Sequence, residues 1–113
     1  MIYRGKIVQV VLRDEAKLQW DDLQIPSLTS LFNAIQQKLE ILKADPEHGT
    51  HIPNDRVPKE YILKYEVNNL WKVNLPKAWR MIYTLRGNSY EITVFIIDIL
   101  SHKEYEKKFG YKT

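Results

Sequence analysis

The feature that most constrains the fold of this chain is the order of its hydrophobic periods. One long helical stretch comes first, and three strand-like runs follow close together. Leu28, Leu31, Phe32, Ile35, Leu39 and Leu42 recur at the spacing of one helix face. Ser27 stands where an N-cap belongs, and Asp45-Pro46 stops the pattern after Ala44. Asn69–Leu75, Ala78–Leu85 and Tyr90–Leu100 are rich in β-branched and aromatic residues, so each predicts a strand. Arg86-Gly87-Asn88-Ser89 predicts a hairpin turn between the last two. Upstream, Lys6–Leu12 predicts a strand. Ala16, Trp20 and Leu23 place a short amphipathic helix over Arg13–Leu23. Ser101 and Glu104 form a capping-box pattern, with Gly110 in place to end a helix over Ser101–Phe109. The order β-α-α-β-β-β-α predicts an α+β fold, two N-terminal helices packed on a mainly antiparallel four-stranded sheet. Residues 46–58, with three prolines and two histidines, are expected to be a loop, either functional or disordered.

Composition sets the outer limits. The 113 residues predict a single domain, residues 1–113, with one sizeable core. There is no cysteine, which excludes a disulfide scaffold, a thiol nucleophile and thiolate metal sites, and fits a reducing, cytoplasmic compartment. No apolar run is long enough for a membrane helix, and the N-terminus lacks a secretion signal, so no membrane partner is expected. Net charge is only +3, but residues 56–86 carry seven basic side chains against two acidic ones. That stretch is a candidate footprint for a polyanion.

Strand alternation sorts the candidate residues. Trp71, Val73 and Leu75 share one face, as do Trp79, Met81, Tyr83 and Leu85 on the next strand, and these predict the core. Lys72, Arg80 and Arg86 fall on the opposite faces, which predicts a basic surface on one side of the hairpin. Arg80 is the least ordinary of them, because it sits in mid-strand between Trp79 and Met81. His102 and Tyr105 lie three residues apart and share a helix face at the end of the last strand. Histidine is the side chain suited to proton transfer near neutral pH. His48, His51 and Asp55 lie in the loop without a third spaced ligand, so no metal site is expected. Glycine-rich phosphate loops, a nucleophile elbow and an HExxH helix are all missing from the sequence. What remains, cations beside a histidine and a tyrosine, suits cleavage of an RNA phosphodiester by its own 2′-hydroxyl, without metal or cofactor.

Asn69-Leu-Trp-Lys-Val-Asn-Leu-Pro, Ala78-Trp-Arg-Met-Ile-Tyr-Thr and Ile96-Ile-Asp-Ile-Leu-Ser-His-Lys-Glu-Tyr-Glu together resemble the RelE/ParE superfamily of toxin–antitoxin toxins. Trp79-Arg80-Met81-Ile82-Tyr83 stands for that superfamily's YRxxY strand. The resemblance implies a growth-inhibiting toxin of the RelE/YafQ-like mRNA interferase branch, a metal-independent endoribonuclease acting on mRNA at the ribosome. It implies a cognate antitoxin as partner. Carried over by position, Arg80 would stabilise the phosphate, His102 would move the proton, and Tyr105 would stack or assist. Lys59, Lys64, Lys72 and Arg86 would hold the RNA backbone, with His51 and Asp55 as loop contributors. Ala78 stands where YafQ-like members carry an aspartate. Two alternatives stay open: a gyrase-inhibiting ParE-like toxin, and a non-catalytic RNA- or ribosome-binding module of the same fold.

Overall fold

The structure, a computed structural model, describes residues 2–110. Ten elements account for most of the chain. Strands β1 (Ile2–Tyr3) and β2 (Lys6–Leu12) form a hairpin, followed by helices α1 (Asp14–Asp22) and α2 (Thr29–Ala44). Strand β3 (Thr50–His51), helix α3 (Lys59–Tyr65), strands β4 (Trp71–Asn74), β5 (Arg80–Gly87) and β6 (Glu91–Leu100), and helix α4 (His102–Phe109) complete the order.

The fold is α+β, but the sheet differs from the four strands expected. It has six strands in the order β1-β2-β6-β5-β4-β3, and it is mixed, because β2 runs parallel to β6. The two added strands lie at the edges and are two residues long, too short to leave a period in the sequence. Helix α3 was not expected either. Residues 46–58 are not a free loop. They hold β3, which pairs antiparallel with β4, and a short 3-10 turn at Asn54–Arg56. Ile52 from this segment is buried, and its N–H donates to the Leu70 carbonyl at 2.8 Å. Ser27 does not cap α2. It lies in a 3-10 turn over Pro26–Leu28, and Thr29 Oγ1 donates to the Pro26 carbonyl instead.

Each face of the sheet carries its own core. On the first face, Ala16 of α1, Leu23 just after it, and Leu31, Ile35 and Leu42 of α2 pack on Val73, Met81, Tyr83, Val94 and Ile96. Trp20 and Phe32 bring their rings to 4.4 Å between the two helices. Trp71, Trp79 and Leu85 join this cluster, as their alternation predicts. On the second face, Tyr61 and Tyr65 of α3 and Tyr105 of α4 pack on Ile82, Ile97 and Leu100. The face expected to be an open basic surface is therefore half covered, since Ile82 and Thr84 are buried beneath these helices.

A bulge makes the two-sided packing possible. Ile82 lies opposite Asp98 and Tyr83 opposite Ile96, so Ile97 has no partner across the ladder. The extra residue sends Ile96 and Ile99 to the first core and Ile97 and Leu100 to the second. It also buries the Asp98 carboxylate, which accepts from Gln19 Nε2 at 2.8 Å and Tyr61 OH at 2.7 Å and pairs with Lys108 Nζ at 3.2 Å. Gln19 completes the clamp by accepting the Ile99 N–H through its Oε1 at 2.8 Å. A buried carboxylate requires such partners, and these three come from α1, α3 and α4.

Candidate functional site

The site forms where β4, β5 and α4 meet. Lys72 and Arg80 lie on adjacent strands, with Lys72 opposite Ile82 and Asn74 opposite Arg80. Both side chains leave the sheet on the second face, where α4 crosses. Helix α4 starts directly after β6, and Leu100 pairs with Arg80, so the first turn of the helix sits at the end of the Arg80 strand. The capping box fixes that turn: Ser101 Oγ accepts from the Glu104 N–H, and Glu104 accepts from the Ser101 N–H. Gly110 closes the helix in the left-handed region, at φ 68°.

This architecture brings Lys72 and Arg80 to the buried Tyr105 ring. Lys72 Nζ donates to the Tyr105 hydroxyl at 3.2 Å and lies 5.3 Å from the ring centroid. The Arg80 guanidinium lies 5.4 Å from the same centroid. Cations over an aromatic face are attracted by the ring quadrupole. Tyr105 is also stacked on Phe109, with centroids 4.5 Å apart. Arg80 Nη1 donates to the Trp79 carbonyl, while Arg80 Nε is buried without a partner. A buried guanidinium N–H with no acceptor is unusual and costly. An anion arriving at this cluster would meet two cations held in place by the fold.

His102 sits one turn before Tyr105, on the exposed part of α4. Its Nε2 lies 2.6 Å from Glu106 Oε1. That carboxylate orients the imidazole; the i,i+4 spacing was the signal for it, and the sequence reading passed over Glu106.

The other candidates are scattered. Lys59 is exposed in the first turn of α3. Lys64 pairs with Glu15 of α1, and that bond raises the lysine above its ordinary range. Arg86 donates to the Tyr65 carbonyl and lies 5.8 Å from the Phe95 ring. His51 is exposed on β3 with its ring edge-on to Trp71, at 5.0 Å. Asp55 lies in the exposed 3-10 turn, beside an open cleft shared with Lys108 and Phe109. Among the described residues, no group of three or more His, Asp or Glu is placed to hold a metal ion. Among them, too, no helix is long and apolar enough to cross a membrane.

Two tyrosines beneath the site are held neutral. Burial, and then the Asp98 carboxylate, push the Tyr61 hydroxyl far above its ordinary range. Burial does the same to Tyr83, which donates to the Pro46 carbonyl at 2.9 Å and accepts the Gly49 N–H at 3.0 Å. Partial burial opposes the charge on Lys108, but Asp98 and Glu60 outweigh it and hold the ammonium above the usual lysine range.

No described protein family matches the chain, and no solved structure matches it. Among curated proteins, the chain is similar to a 5-methyltetrahydropteroyltriglutamate–homocysteine methyltransferase of Buchnera aphidicola subsp. Schizaphis graminum (strain Sg). The two are 28% identical over 103 residues, which is 72% of this chain and 14% of the relative. The chain thus spans about one seventh of that protein's length.

Proposed function

We propose that this chain is a RelE/ParE-type toxin, an endoribonuclease that cuts mRNA and is held inactive by a cognate antitoxin. The observation that carries the reading is the convergence of Lys72 and Arg80 on Tyr105, one helical turn from His102. The four longest strands, in the order β2-β6-β5-β4 with α1 and α2 inserted after β2, support a RelE/ParE-like arrangement within the larger sheet.

In this reading the scissile phosphate sits over the cation pair. The RNA 2′-hydroxyl oxygen attacks phosphorus as its proton leaves, and the bond from phosphorus to the 5′ oxygen breaks. The products are a 2′,3′-cyclic phosphate and a 5′-hydroxyl. Arg80 and Lys72 stabilise the charge that develops on the phosphate oxygens, the role for which fixed cations are most effective. His102 moves a proton, with Glu106 orienting its ring. The methyl-transfer activity of the curated relative does not enter this reading, because the match spans so little of that protein.

The test is induced expression in a bacterial host, wild type beside Arg80→Ala and His102→Ala, with transcript ends mapped by primer extension. Growth arrest with discrete mRNA cuts, lost in both variants, is the expected result. Arrest with intact transcripts overturns the ribonuclease reading. One observation favours a second reading, a gyrase-inhibiting or otherwise non-catalytic toxin of the same type: His102 is exposed and already engaged by Glu106. That reading predicts arrest unaffected by His102→Ala, with DNA-damage signalling if gyrase is the target.

A further inference from the structure

Helices α3 and α4 cover only half of the second sheet face. The rest, formed by β2, the first half of β6 and the end of β5, is open. Ile2, Ile7 and Val11 are 72%, 57% and 38% exposed; Ile2 pairs with Ile7, and Val11 lies on the same face beyond Gln9. Val11 lies opposite Phe95. Arg13 continues the same alternation beyond Val11, and Arg86 reaches the same ring from β5. Their guanidiniums lie 5.4 and 5.8 Å from the Phe95 centroid.

Several cations elsewhere on the molecule are neutralised. Arg4, Lys17, Lys43, Lys64 and Lys108 each pair with a carboxylate. Arg13 and Arg86 converge on one ring, and neither forms an ion pair among the described residues. Glu91, opposite Ile7, is engaged by Gln9 at 2.8 Å. Arg86 meets the Tyr65 carbonyl, but no carboxylate among the described residues offsets the repulsion between the two guanidiniums. Arginine and aromatic side chains are enriched at protein interfaces.

We propose that this face docks an acidic segment of a partner protein. Aliphatic side chains of the segment cover Ile7 and Val11, and its carboxylates bind Arg13 and Arg86. Nucleic acid is the weaker fit, because the aliphatic strip offers a base nothing to stack on and Phe95 already carries two guanidiniums. The inference stands apart from the ribonuclease reading, which concerns Arg80, Tyr105 and His102.

The test is a titration of the full chain with a synthetic amphipathic peptide, leucine on one face and glutamate on the other. Binding is read by fluorescence polarisation and backbone amide shifts. Shifts at Ile7, Val11, Arg86 and Phe95 are expected. Binding should fall about tenfold or more in Arg13→Ala/Arg86→Ala, roughly one charge-assisted bond's effect. It should fall similarly in Ile7→Glu, an exposed position where folding, checked by thermal melting, is preserved. Arg80→Ala should bind like wild type, which separates this result from the fate of the ribonuclease reading. Equal binding of a peptide with glutamine replacing glutamate overturns the proposal. So does no binding, or shifts confined to α4. Preferential binding of an oligouridylate at the same amides overturns it in favour of a nucleic-acid surface.

Discussion

Lys72 Nζ donates to the Tyr105 hydroxyl across 3.2 Å, tying the middle of the sheet to the inward face of α4. The bond is charge-assisted and half-buried, so its loss should register in folding. Tyr105→Phe keeps the ring between Arg80 and Phe109 and removes only the acceptor. It should cost about 1.5 kcal/mol. Tyr105→Ala removes the packing as well and should cost about 3 kcal/mol or more. Urea denaturation of the two variants separates the hydroxyl from the ring. No loss in Tyr105→Phe would mean that the Lys72 bond contributes nothing.

Arg80 makes the opposite prediction. Its Nε is buried without an acceptor, a penalty that a structural residue would not retain. Replacing an orphaned donor with an apolar side chain of similar length is expected to be neutral or stabilising, by about 1 kcal/mol. Arg80→Met should therefore melt at or above the wild-type temperature. In the proposed ribonuclease the same variant should lose about a hundredfold in cleavage rate, the usual effect of removing one transition-state donor. A variant that is less stable and fully active would place Arg80 in the scaffold instead.

The long elements were legible because their signals are local. Helix α2 shows its apolar stripe over four turns, β5 alternates around Met81 and Tyr83, and α4 carries both of its caps in sequence. Helix α3 was missed because it spans only Lys59–Tyr65, and its sole stripe is Tyr61 and Tyr65 between charged residues. Strand β6 hid its bulge because Ile96–Leu100 is apolar but for Asp98, so alternation could not reveal where the parity changes. The same blindness applied to the site. Arg80 stood out as a charge expected in mid-strand, although it opens β5 because Pro76–Ala78 forms a 3-10 turn, and Tyr105 was noted for sharing a helix face with His102. Their meeting with Lys72 depends on the β4–β5 register, which no single run of residues encodes.

Gly49 holds residues 46–58 against the sheet. A Cβ there would lie 2.6 Å from the Lys72 carbonyl oxygen and 2.7 Å from the Tyr83 hydroxyl. Both obstacles are fixed, one as strand backbone and the other by its bond to Pro46. Gly49→Ala should destabilise by about 2 kcal/mol. It should also loosen β3, seen as faster amide exchange at Ile52, whose N–H bonds Leu70. An unchanged exchange rate there would show that the segment is anchored elsewhere.

Asp98 joins α1, α3 and α4 to the bulge of β6. Asp98→Ala strands Tyr61 OH and Gln19 Nε2 without their acceptor, leaves Lys108 with Glu60 alone, and should cost about 3 to 5 kcal/mol. Asp98→Asn keeps an acceptor and the shape, and should cost less. The ordering Ala worse than Asn, read from denaturation midpoints, checks that the carboxylate acts as a hydrogen-bonding hub. Equal costs would assign the effect to the lost negative charge, because Asn keeps the volume.

Alkaline pH should weaken the fold through the groups that this hub and the Gly49 contact hold protonated. Tyr61, Tyr83 and Lys108 all have raised folded-state values. In the unfolded chain tyrosine loses its proton near pH 10 and lysine slightly above it. Between those values and the folded ones, the folded state binds more protons, so stability is complete below about pH 10 and falls as pH rises further. Each fully shifted group contributes about 1.4 kcal/mol per pH unit in that range. Tyr61→Phe removes one such group. Its stability should start lower, because Asp98 loses a donor, yet decline less steeply between about pH 10 and 11. Urea midpoints measured from neutral pH upward give both slopes. Parallel declines in the variant and the wild type would show that Tyr61 does not carry the alkaline transition.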